Sequence, residues 1–112
     1  MRWLLWLVSA ALISSCSLEA RTEFDAARWQ KADLSTRQRA QMVPDLLKQH
    51  PLVGMKSVEV RALLGPPTGN EREWQLIYVL GPDGSLFPID NEWLLIRLDD
   101  RNVVTKYVVR SD

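Results

Sequence analysis

The chain has a single cysteine and a single histidine in 112 residues, and no surplus of charge: 14 Lys and Arg stand against 14 Asp and Glu. A lone cysteine excludes an internal disulfide. One His and one Cys cannot supply the four ligands of a structural zinc site. The charge balance removes the electrostatic ground for binding nucleic acid, which needs concentrated positive charge facing phosphates. No basic block, internal repeat or low-complexity tract is present. Long apolar runs are missing too. The longest, Trp3–Ile13, is about eleven residues, where a membrane span needs roughly 20.

That run has the length of a signal-peptide apolar region, about 7–15 residues. Arg2 supplies the positive start, and Ile13-Ser14-Ser15-Cys16 resembles a bacterial lipobox. The resemblance implies that residues 1–15 are removed as a lipoprotein signal peptide. Cys16 then becomes the lipidated N-terminus, acylated on its thiol and on the new amine. Two or three acyl chains hold a protein on a membrane essentially permanently, whereas one is marginal. Two other readings stand beside it: cleavage after Ser17, using Ser15 and Ser17 as the small pair, or Cys16 as an incidental apolar residue. Ser17 rather than Asp follows the cysteine, which by resemblance to lipoprotein sorting implies the outer membrane, facing the periplasm.

Residues 16–35 mix charges with isolated Phe24 and Trp29 and read as a tether. The two aromatics are costly in water and are expected to dock on the domain. What remains is one domain of roughly 60–75 residues, small enough to need dense packing or a partner. A helix is expected from about Thr36 to Gln49, capped by Ser35 or Thr36, with Val43, Leu46 and Leu47 on its apolar stripe. Pro44 calls for a kink, or for a helix that begins there. A second helix, about Ser57–Leu64, buries Val60, Leu63 and Leu64 and stops at Gly65-Pro66-Pro67. Glu73–Leu80, Trp93–Leu98 and Val103–Val109 read as strands, joined by the Gly81–Asn91 loop and the Asp99–Asn102 turn. The expected fold is α+β, a two-layer sandwich of two helices on a three-stranded antiparallel meander in the order α-α-β-β-β.

The stretch from Leu52 to Pro67, with Gly54-Met55 opening a helix that ends Leu63-Leu64-Gly65-Pro66-Pro67, followed by three strands, resembles the SmpA/OmlA (BamE-like) family of small outer-membrane lipoproteins. The likeness covers about residues 42–109. It implies a non-catalytic domain that takes part in outer-membrane protein assembly or envelope integrity. Two departures stand out. Lys56 occupies the place where the family carries a Thr or Ser cap, which deprives Glu59 of its hydroxyl partner in a capping box. The Gly81–Asn91 loop resembles an insertion.

Catalytic candidates are scarce. His50 ends a helix beside Pro51 and reads as a C-terminal helix partner. No Ser or Cys nucleophile is spaced with a base and an orienting group. Asp83 and Asp90 share a loop, as Asp99 and Asp100 share a turn, and both pairs read as turn residues rather than as a calcium site or a carboxylate dyad. No cofactor or metal is expected.

Alternation groups Trp74, Leu76, Tyr78 and Leu80 on one face of the first strand and Gln75, Ile77 and Val79 on the other. Trp93, Leu95 and Arg97 oppose Leu94, Ile96 and Leu98. Val103, Thr105, Tyr107 and Val109 oppose Val104, Lys106 and Val108. Both faces are apolar, so the face without helices needs a cover. Phe24 and Trp29, a partner protein, or a ligand would each provide one. The expected partner-binding set is Trp74, Tyr78, Trp93, Arg97 and Tyr107 together with the Gly81–Asn91 loop. An alternative is an inhibitor of a periplasmic hydrolase, since two helices on a curved sheet also resemble the β-lactamase-inhibitor-protein fold. A purely structural lipoprotein is a further one.

Overall fold

Asp25 opens the first helix. Its side chain accepts the Arg28 N–H at 2.9 Å, satisfying one of the orphan donors of helix α1, Ala26–Lys31. Six residues have almost no helical stability of their own. What holds α1 is Trp29, whose side chain is fully buried. This computed structural model describes residues 20–85 and 90–112, so the signal segment, Cys16 and residues 86–89 of the long loop lie outside the described residues. The tether expected up to residue 35 therefore gives way from Phe24 onward to folded chain, held by the burial of Phe24 and Trp29 together with the hydrogen bonds of its main chain.

Helix α2 spans Gln38–Gln49 and runs through Pro44, so it does not begin there. Pro44 has no N–H for the Ala40 carbonyl. Beside that gap the N-terminal chain docks: the Thr22 N–H donates to the Gln41 carbonyl at 3.1 Å, and the Phe24 N–H donates to Asp45 Oδ2 at 2.7 Å. Helix α3 is Ser57–Leu64. Its start keeps half of a capping box without a hydroxyl. Glu59 Oε1 accepts the Lys56 N–H at 2.8 Å, and the Glu59 N–H donates to the Lys56 carbonyl at 2.9 Å. The Ser57 N–H is taken by the Asn102 carbonyl at 2.8 Å, which ties the helix to the last hairpin.

Strands β1 (Leu76–Pro82), β2 (Asn91–Leu98) and β3 (Val104–Ser111) form an antiparallel sheet in that order. Leu76 lies opposite Ile96, and Ile96 opposite Tyr107. Each ladder contains a bulge, at Leu80 on β1 and at Thr105 on β3. The α+β layering is that of the sequence, with α1 added before the two expected helices.

The three helices of the described residues lie on one face of the sheet. Trp29, Leu46, Val60 and Leu64 meet Leu76, Tyr78, Leu94 and Ile96 in one core. Gly81 allows α2 to approach the bulge. Its φ is +117°, and a Cβ there would stand 2.1 Å from the Thr36 carbonyl oxygen, a distance no side chain tolerates.

Candidate functional site

The register divides the expected partner-binding set. Tyr78 and Tyr107 sit on the helix-covered face. Tyr78 is fully buried and donates its hydroxyl to the Gly65 carbonyl at 2.8 Å, and Tyr107 packs half-buried against the same core. Both are therefore corrected from interface to core. Alternation reveals which residues share a face, but not which face the helices take. Trp74 moves the opposite way. It precedes β1, across a bend, and joins Ile77, Leu95, Trp93 and Val108 rather than Leu76 and Tyr78.

Phe24 and Trp29 do not cover this second face; they belong to the helix-side core, with their ring centres 6.0 Å apart. The cover comes from the sheet's own residues. Trp74 lies over Ile77 and Leu95 and is only 4% exposed. Three cations ring it: the Arg97 guanidinium at 4.8 Å from the ring centre, that of Arg110 at 5.6 Å and the Lys106 ammonium at 6.0 Å. Each such contact contributes about 0.5–1 kcal/mol at an exposed site. Arg97 also pairs with Glu73 at 3.0 Å. Lys106 and Arg110 have no carboxylate partner among the described residues.

Beside this cluster runs an open groove of about 390 Å³, with Ile77 and Leu95 at its floor, Trp93 and Arg110 along one side and the Thr68–Glu71 segment along the other. That segment is fixed to the edge of β1, where Gly69 and Ile77 exchange backbone hydrogen bonds at 3.2 and 3.0 Å. Ile77, Leu95, Lys106 and Arg110 were missing from the expected set. The bulge at Thr105 separates Val104, buried with the helices, from Lys106 and Val108 on the open face. Plain alternation had put all three together.

The remaining candidates make turn and cap contacts. The Asp83 carboxylate accepts the Ser85 N–H at 3.0 Å and its hydroxyl at 2.6 Å, which hold its pKa below the usual carboxylate value. Asp99 accepts the N–H groups of Val103 and Arg101, which lower its pKa likewise, and closes the β2–β3 turn with Asn102 at φ 62°. His50 caps α2 and sets its ring 5.6 Å from Phe24. Among the described residues no group of three His, Cys, Asp or Glu could hold a metal ion, and no helix is long and apolar enough to cross a membrane. The Gly81–Asn91 loop starts under Arg37, which donates to the Pro82 carbonyl at 2.6 Å and pairs with Glu92 at 3.2 Å. No family model, curated protein or solved structure matches the chain.

Proposed function

We propose that this is a lipid-anchored, non-catalytic protein of the bacterial outer membrane. In this reading it faces the periplasm and binds another envelope protein through the open sheet face, in outer-membrane protein assembly or envelope maintenance. One observation carries the binding reading. The described helices all lie on one side of the sheet, while the other side holds Trp93, Leu95 and Val108 beside two cations, Lys106 and Arg110, without carboxylate partners among the described residues. Aromatic and Arg-bearing patches of this kind are typical of interface cores. The anchor rests on the lipobox-like Ile13–Cys16 and on the resemblance of residues 42–109 to the SmpA/OmlA family.

The test has two arms. Intact mass of the membrane-extracted protein is expected to begin at Cys16 and carry acyl chains, both lost in Cys16→Ala. A photo-cross-linker at Trp93 is expected to capture barrel-assembly components, and one at Val58 on the far helix is not. An unmodified chain starting at or after Leu18 removes the anchor. Capture of a soluble hydrolase by Trp93 replaces assembly with inhibition.

A further inference from the structure

Among the described residues, the outer edge of β3 is covered only at its start. There the Gly54 N–H donates to the Val104 carbonyl and the Val104 N–H to the Met55 carbonyl, both at 2.8 Å. Past the Thr105 bulge, the strand's alternation decides which groups remain. The Asp112 N–H donates inward to the Asn91 carbonyl at 3.1 Å. The main-chain groups of Arg110 and Val108 therefore also face β2, and those of Tyr107, Val109 and Ser111 face away. No described residue pairs with these outward groups. Unpaired groups in a row are a template for another strand.

We infer that a second copy of this chain pairs with this edge, β3 against β3, antiparallel about a two-fold axis at Val109. In that register Val109 meets Val109 of the second copy, Tyr107 meets Ser111, Val108 meets Arg110 and Lys106 meets Asp112. All three outward residues then exchange hydrogen bonds. Val109, a large apolar side chain left 42% exposed, is closed by its own copy. Lys106, which has no carboxylate partner among the described residues, gains the Asp112 carboxylate.

Neighbouring registers do worse. Centring the axis on Tyr107 drives the second copy into the Gly54–Lys56 segment that already covers Val103 and Val104. Centring it on Ser111 leaves Tyr107 and Val109 with no described residue opposite them and takes Asp112 away from Lys106. Edge lysines and arginines normally deter strand addition, but at the Val109 axis neither Lys106 nor Arg110 stands directly opposite a like charge; Arg110 meets the copy's Arg110 and Lys106 only on the diagonal, about 7–8 Å away. Such an interface is isologous, as two-fold dimers require, and joins two three-stranded sheets into one. It stands on the strand edge alone and needs neither the anchor nor the open-face partner.

Oxidative cross-linking of the full chain, in whichever cell fraction holds it, tests this. Directly opposed hydrogen-bonded residues have Cα atoms about 5.5 Å apart, within disulfide reach. Val109→Cys is expected to give a covalent dimer, absent from the unsubstituted chain and stronger than any band from Val58→Cys, which sits exposed on α3. Adding Lys106→Asp should lower the yield about threefold, and adding Asp112→Lys to that should restore it. A Val109→Cys band no stronger than the Val58→Cys band overturns the pairing. So does a yield indifferent to the charge exchange, or cross-linking only to a different protein.

Discussion

The Arg39 guanidinium carbon lies 5.0 Å from the centre of the Trp29 ring, and Nε donates to the Trp29 carbonyl at 3.0 Å. The other arm of the same side chain donates to the Val79 carbonyl at 3.1 Å, next to the β1 bulge. One buried side chain thus ties the end of α1 to the sheet. Burial lowers its pKa, and no carboxylate among the described residues repays that cost. Of its two acceptors, the Trp29 carbonyl also takes the Ala32 N–H at 3.3 Å, while the Val79 carbonyl has no other donor among the described residues.

Arg39→Met keeps the packing and removes both hydrogen bonds. The stranded Val79 carbonyl costs about 1–3 kcal/mol and the lost bond to the Trp29 carbonyl about 0.5–1.5, and relief from an unpaired buried cation offsets part of that. The expected net loss is about 1–3 kcal/mol in a urea melt followed by tryptophan fluorescence. Arg39→Lys should recover little, because an ammonium lacks the planar fork that reaches both carbonyls.

Gly81→Ala should be among the most damaging single-methyl changes. The backbone there has φ +117°, and the new carbon would stand 2.1 Å from the Thr36 oxygen. Positive-φ strain alone costs about 1–3 kcal/mol, and relieving the clash must push α2 away from β1. A thermal melt is expected to show a loss of at least about 3 kcal/mol. Gly69→Ala, where no atom lies within 4 Å of the added carbon, serves as the control.

Hydrophobic spacing and turn chemistry made two helices, three strands and their order legible. Ser57–Leu64 has the bounds its stripe and Gly65 suggest. Helix α1 was not legible because six residues with one large apolar side chain, Trp29, carry no periodic stripe; its one sign was Asp25 three residues before Arg28, a cap in search of a helix. The candidate site was half legible. Trp93 and Arg97 share the open face, but Tyr78 and Tyr107 went to the wrong one, since strand parity says nothing about where helices pack. The Thr105 bulge then hid Lys106 and Arg110, because one extra residue inverts the parity of everything after it.

The N-terminal segment should come loose through Asp45. Its carboxylate accepts the Phe24 N–H at 2.7 Å, a charge-assisted bond about twice as strong as a neutral one. Asp45→Ala is expected to cost about 1–3 kcal/mol and to speed trypsin cleavage at Arg21 and Arg28. Asp45→Asn keeps an acceptor oxygen and should fall between. Equal cleavage rates in all three proteins would mean that Phe24 holds the segment by packing alone.

Tyr78 should make the fold sensitive to alkali. Burial pushes its phenol up to about 12 from the ordinary 10.0, although Arg61 and Arg39 pull it back. The folded state therefore favours the protonated form. The stabilisation this represents is fully present below pH 10, the unfolded value, and is lost as pH rises through the folded value of about 12. Tyr78→Phe removes the hydroxyl that donates to the Gly65 carbonyl and should cost about 1–1.5 kcal/mol at pH 8. Because the variant has no phenol to ionise, its deficit relative to the unsubstituted protein should shrink between pH 10 and 12. Paired urea melts at pH 8, 10 and 11 measure that difference directly. A deficit that stays constant across the series would mean that the Tyr78 hydroxyl ionises as easily in the folded chain as in the unfolded one.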